Sequence, residues 1–160
     1  MTAASLLALP HEQDTVALGA RAAAALPTAD LPFVVALSGD LGAGKTCFAR
    51  ALLQALGVTG PVRSPSYALM ETYHAGGWQV LHLDLYRLAS ADELEMLGLR
   101  DYHHGRSLWL VEWPERGAGY LPPPDATLRF VAGPSGHQVS LQAGSLAGGA
   151  WVARLKPDLE

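Results

Sequence analysis

The 160-residue chain contains no asparagine, a single cysteine and only two lysines. One cysteine, Cys47, excludes an intrachain disulfide framework and a cysteine-built zinc cage, and it fits a reducing compartment. Acidic residues number 15 against 11 lysines and arginines, for a formal charge of −4. A stand-alone nucleic-acid binder normally presents a net basic face, so DNA is not expected as a partner and RNA is not expected to be gripped by this chain alone. No apolar run approaches the roughly 20 residues that cross a bilayer. Met1 to Pro10 holds none of the Lys or Arg that opens a secretory leader. A cytoplasmic protein without membrane association is therefore expected.

What is present is the composition of an ordinary folded domain. Hydrophobic residues make up 49% and charged residues 16%, which excludes a disordered acidic tail. No internal repeat or linker divides the chain, so a single domain over residues 1–160 is the simplest organisation. Ser5 to Leu9 suits a short edge strand ending at Pro10, and Glu12 to Leu26 an alanine-rich helix stopped by Pro27. Phe33 to Leu37 is a continuous apolar run, the pattern of a strand buried on both faces. After a glycine-rich turn, Phe48, Leu52 and Leu56 recur at intervals of four and predict a helix from Lys45 to Leu56, stopped by Gly57.

Further on, Tyr67 to Tyr73 and Gln79 to Tyr86 read as a hairpin around Gly76-Gly77. Ser90 and Glu93 form a capping-box pattern ahead of a short helix closed by Gly98. Ser107 to Trp113 is another apolar strand. Ala126 to Ala132, Gln138 to Ala143 and Ala150 to Leu155 predict a three-stranded meander. The expected fold is α/β: a mixed central sheet flanked by helices, parallel in the first two thirds of the chain and antiparallel toward the C-terminus.

Gly39-Asp40-Leu41-Gly42-Ala43-Gly44-Lys45-Thr46 matches G-x-x-x-x-G-K-S/T between a buried strand and a helix, the context that gives this motif its meaning. Glycines let backbone amides turn inward as a nest for phosphate oxygens. The helix that starts near Lys45 points its positive end at the same oxygens. Lys45 can reach β- and γ-phosphates, and the Thr46 hydroxyl can ligate Mg²⁺. The residues Asp40, Leu41, Gly42, Ala43, Gly44, Lys45, Thr46 and Cys47 thus form the candidate nucleotide cradle.

Such a loop needs an acid at the end of a nearby strand. Two runs supply one: Val80 to Asp84 and Leu108 to Glu112. Spacing alone does not choose between them. Guanine is read in related enzymes by an Asn/Thr-Lys-x-Asp segment. Without asparagine only Thr-Lys could serve, and neither lysine follows threonine; Leu155-Lys156-Pro157-Asp158 begins with leucine. ATP is therefore the expected nucleotide.

Four segments in order carry a resemblance: the phosphate loop; Ser64-Pro65-Ser66-Tyr67; His82-Leu83-Asp84-Leu85-Tyr86-Arg87-Leu88; and Glu112-Trp113-Pro114-Glu115. Leu94, Leu97-Gly98-Leu99 and Asp101-Tyr102 fit between the last two. From about residue 12 to 128 the chain resembles the TsaE family of P-loop ATPases, which serve bacterial tRNA threonylcarbamoyladenosine biosynthesis. The resemblance implies a P-loop NTPase-type domain that binds Mg²⁺ and ATP. Lys45 would hold phosphates and Asp84 would support hydrolysis, these two being the catalytic residues. Thr46 and Glu112 would be the metal ligands. Ser64 and Ser66 would belong to a switch loop sensing the γ-phosphate, and Trp113 would lie near the nucleotide. The partners implied are TsaD and TsaB, with tRNA reached only through them. The family also brings the Glu12 to Thr15 segment near the base.

Two positions depart from the family. Ser66 replaces a threonine and keeps the hydroxyl. Cys47 replaces another threonine, and cysteine is a weak donor, so a side-chain contact to the α-phosphate would weaken; a small core residue is the other reading. Arg87 could touch phosphate, tRNA or a partner, or could orient Asp84 through a salt bridge. His82 reads as a packed or hydrogen-bonded histidine, Trp109 as core, and His103-His104 as exposed. Two other functions use the same loop. A small-metabolite kinase would carry an arginine-rich lid and an acceptor site after the first loop helix. A nucleotide-gated binding module would need no turnover.

Overall fold

The computed structural model describes residues 4–157; Asp158, the last member of the Lys-x-Asp segment, lies outside them. The sequence of elements is β1 (Ser5–Leu9), α1 (Glu12–Ala24), β2 (Phe33–Gly39), α2 (Lys45–Leu56), β3 (Met70–Ala75), β4 (Trp78–Asp84), β5 (Ser107–Glu112), β6 (Ala126–Gly133), β7 (Gly136–Ala143) and α3 (Leu146–Leu155). Short 3₁₀ turns occupy Ala91–Leu97, Leu99–Tyr102 and Pro114–Gly117. The strands form one sheet in the order β1-β7-β6-β2-β5-β4-β3. β6, β2, β5 and β4 run parallel, and antiparallel partners close both sides. β1 is indeed an edge strand.

The parallel centre is buried on both faces, as the unbroken apolar run of β2 requires. One face carries Phe33, Val35, Leu37, Val80, Leu108 and Leu110 under α1, α2 and α3. The opposite face carries Val34, Leu81, Leu83, Trp109 and Val111. The 3₁₀ segments cover it through Leu94 and Leu99. α1 packs closely along α2, where Gly19 lies against Ala51. Among the described residues, no helix is long and apolar enough to cross a membrane.

The expected third strand of the C-terminal meander is a helix, α3. Ser145 caps it: its Oγ accepts from the Gly148 amide at 3.0 Å and donates to Asp125 Oδ1 at 2.8 Å. A Cβ at Gly148 would collide with the Asp125 carbonyl, so glycine permits this close approach. Trp151 and Leu155, one turn apart, then enter the helix-covered core. The Trp151 indole donates to the Ala22 carbonyl at 3.0 Å and meets Phe33 edge-on at 5.4 Å. β-forming Trp151 and Val152 suggested a strand, and tertiary packing overrode them.

Three smaller differences follow local chemistry. The turn after Ser90 is 3₁₀ rather than α, and the Ser90 side chain caps nothing; the Glu93 carboxylate accepts from Ala89 instead, at 3.3 Å. β3 starts at Met70 because residues 65–69 close a turn through Leu69 N–H to Pro65 O. β5 ends at Glu112 because Trp113 turns to a left-handed φ of 58°.

Candidate functional site

The parallel register puts the carboxyl ends of β2, β5 and β4 side by side: Leu37 is opposite Glu112, and Glu112 opposite Asp84. This is the edge at which open α/β sheets place their ligands. The chain leaves β2 there and turns through Gly39 to Gly44 into α2. Gly44, the residue before α2, has φ of 112°, a conformation that L side chains rarely adopt. An open cleft of about 690 Å³ lies over the loop.

Lys45 is the first residue of α2 and is 5% exposed. Its ammonium donates to the carbonyls of Gly39 and, at 3.1 Å, Asp40. It also sits 4.1 Å from the centre of the Trp113 ring, a cation–π contact. Burial pushes its pKa below the ordinary lysine value, and the carboxylates of Glu112, Asp84, Glu115 and Asp40 partly offset that push. Trp113 is thus placed at the lysine end of the cleft.

Glu112 is 2% exposed and bonded through both oxygens. Oε1 accepts from Thr46 Oγ1 at 2.9 Å, and Oε2 lies 2.6 Å from His82 Nε2. Asp84 is 5% exposed and looks elsewhere. Its Oδ2 accepts from the Ser64 hydroxyl, and its Oδ1 from the Tyr86 amide at 3.0 Å. Ser66 is half-buried in the cleft wall near Ser64. Lys45, Thr46, Ser64, Ser66, Asp84, Glu112 and Trp113 therefore line one cleft, as do Leu41, Gly42, Gly44 and Cys47. Asp40 enters through its backbone carbonyl, and Ala43 is buried beneath the loop.

Other residues that the sequence singles out take definite places. Cys47 is half-buried at the cleft wall, not in the core, with Sγ 4.0 Å from Glu12 Oε1. Arg87 forms no ion pair among the described residues; its guanidinium stacks 4.2 Å over the exposed Tyr67 ring. Trp109 is core, and His103 and His104 are exposed. The sequence allows a hydrogen-bonded His82 but does not name Glu112 as its partner. A signal existed: His82 and Asp84 are two apart on one strand and so share a face. The far wall, with Pro10, His11, Glu12, Thr15 and His137, comes from the β1–α1 connection, the start of α1 and the β6–β7 hairpin. The start of α1 was anticipated only through the resemblance, and His137 not at all.

Comparison with known proteins agrees with this geometry. Residues 9–139 match the family described as "Threonylcarbamoyl adenosine biosynthesis protein TsaE". The chain is similar to a "tRNA threonylcarbamoyladenosine biosynthesis protein TsaE" of Haemophilus influenzae, 51% identical over 92 residues, covering 58% of each chain. It is similar to the protein of the same name from Rickettsia felis, 38% identical over 120 residues, covering 74% of this chain and 68% of that one. The match thus spans little more than half the length of the Haemophilus relative. Among solved structures, the crystal structure of Bacillus subtilis YdiB superposes with a TM-score of 0.70 at 26% identity over 97% of both chains. The expected α/β architecture of P-loop NTPase type holds.

Proposed function

The chain belongs to the TsaE family, and from that premise we propose that it binds Mg²⁺ and ATP, hydrolyses the ATP to ADP, and serves threonylcarbamoylation of adenosine in tRNA within a complex with TsaD and TsaB. One observation carries the reading: Lys45, Thr46 and two strand-end acids converge on a single cleft at the carboxyl edge of the sheet.

In this reading Lys45 exchanges its loop-carbonyl contacts for phosphate oxygens, and the loop amides at the start of α2 take the remaining negative charge. Thr46 and Glu112 would hold Mg²⁺. The donors fit: they are hard oxygens, and Mg²⁺ takes one or two protein ligands besides phosphates and waters. Bound there, the ion would neutralise charge between the β- and γ-phosphates. Asp84 would orient the water that attacks the γ-phosphorus as the bond to the bridging oxygen breaks. Ser64, bonded to Asp84, would tie that acid to the 64–67 segment, which with Ser66 would sense the γ-phosphate. Partner proteins, rather than this acidic chain, would contact tRNA, and the cytoplasm is the proposed location.

Calorimetry with ATP and GTP, ADP release with and without TsaB–TsaD, and mass spectrometry of tRNA nucleosides from a deletion strain test the reading. ATP should bind, GTP should compete poorly, and threonylcarbamoyladenosine should disappear. A normal nucleoside profile would refute the pathway while leaving the ATPase standing. The β3–β4 hairpin after α2, where a kinase would carry its lid and acceptor site, supports hydrolysis over phosphoryl transfer to a metabolite. ADP release that depends on an added acceptor would reverse that choice.

A further inference from the structure

His82 is fully buried in β4, between Leu81 and Leu83. Its side chain shares the helix-covered face with Val80 and Asp84, since residues two apart on a strand point the same way. One ring nitrogen, Nε2, lies 2.6 Å from Glu112 Oε2. The other, Nδ1, is buried without any hydrogen-bond partner among the described residues. An imidazole here is a costly packing group, because it buries an unpaired nitrogen. Its single bond is to the acid whose other oxygen meets Thr46.

We propose that His82 is a positioning residue: its Nε2–H holds one oxygen of Glu112, so that the other is presented to Thr46 and to the divalent cation that Thr46 and Glu112 would hold. The two bonds would hold the carboxylate in one orientation. A glutamate has three side-chain torsions, and a ligand left free in all of them would be ordered only when the cation binds. Bonding Oε2 to a ring fixed inside the sheet removes that freedom beforehand. It also leaves only one oxygen available, which suits a cation that keeps most of its waters and takes few protein ligands. Asp84, on the same strand face, is held by Ser64 and Tyr86 instead, so His82 acts on one acid of the pair.

This inference rests on the Mg²⁺–ATP reading, and its test separates the two. ATP binding is measured by calorimetry in EDTA and across a Mg²⁺ titration for the wild type, His82→Leu and His82→Gln. Glutamine can place an N–H near the Nε2 position; leucine cannot. His82→Leu should raise the half-saturating Mg²⁺ concentration about tenfold or more, with ATP affinity in EDTA little changed, and His82→Gln should restore most of the difference. Equal Mg²⁺ requirements in all three, or no rescue by glutamine, would overturn the inference. A wild type that binds no ATP would overturn the function instead.

The positioning bond has its own readout without nucleotide. In ¹⁵N NMR of the wild type, His82 Nε2 should carry a proton, and its resonance should move with Glu112→Gln and much less with Asp84→Asn. A bare Nε2, or indifference to Glu112→Gln, would refute the bond even if the leucine variant fails to fold.

Discussion

Asp84 ends β4 and Glu112 ends β5, and the two are register partners, yet their side chains turn to different neighbours. Each follows an apolar run, so the local pattern is the same. Strand order separates them. β5 lies beside β2, which brings Glu112 to the first turn of α2 and the Thr46 hydroxyl. β4 is one strand farther out, where the Ser64 loop meets Asp84. One acid is tied to Thr46 of the phosphate loop and the other to Ser64 in the cleft wall. Lys45 feels both, since the Glu112 and Asp84 carboxylates are the two largest influences opposing the effect of its burial.

Removing the shared cation should have the largest effect. Lys45→Ala takes away a charge-assisted contact to phosphate and leaves two buried acids without it. ATP affinity in calorimetry should fall about 100-fold; an unchanged affinity would refute the site. Substituting the two acids in turn separates their roles. Glu112→Gln should raise the Mg²⁺ requirement for ATP binding about tenfold or more. Asp84→Asn should leave Mg²⁺–ATP affinity nearly unchanged while slowing hydrolysis about 100-fold. Equivalent profiles from the two variants would mean that the acids share one role. If Asp84→Asn abolishes hydrolysis and cells still make threonylcarbamoyladenosine, turnover is dispensable and the chain acts as a nucleotide-gated module.

The phosphate loop was legible because its logic is local: a buried strand, glycines, then a helix beginning at lysine. The two acids are legible in the local pattern as residues, but their separate roles come only from the family resemblance, because the difference lies in strand order, which pairs residues distant along the chain. His82 reads as a packed or hydrogen-bonded residue from its apolar neighbours, and burial is correct; its partner Glu112 lies on the neighbouring strand, and only the face shared with Asp84 hints at it. α3 was misread for a related reason. Gly148 and Gly149 weaken its helical signal, and the Trp151 indole finds its partner, the Ala22 carbonyl, on α1.

A smaller effect sharpens the Asp84 side. Ser64→Ala removes the hydroxyl that donates to Asp84 and leaves Thr46 and Glu112 untouched. Hydrolysis should slow about tenfold, the low end of the worth of one hydrogen bond to a charged group, at an unchanged Mg²⁺ requirement. A shift in the Mg²⁺ requirement would show that the two acids are coupled through more than Lys45.

The smallest effect lies outside both acids, at Cys47, where the cleft meets α1. Burial raises this thiol above its ordinary pKa of 9.0, and the Glu12 carboxylate raises it further. A raised acid pKa means that the folded protein keeps its proton where the unfolded chain has begun to lose it. Stability is therefore unaffected well below pH 9 and declines as pH rises from the ordinary value through the raised one. The same sign governs reactivity, since only the thiolate alkylates. The rate of alkylation should climb with pH along a curve displaced to higher pH than that of a free cysteine. Glu12→Gln should move the curve back by a fraction of the displacement, because burial is the larger cause. Saturating ATP should slow alkylation if the nucleotide extends from Lys45 toward α1. Alkylation that ignores ATP, in a protein that calorimetry shows to be bound, would confine the nucleotide to the end of the cleft held by Lys45, Asp84 and Glu112.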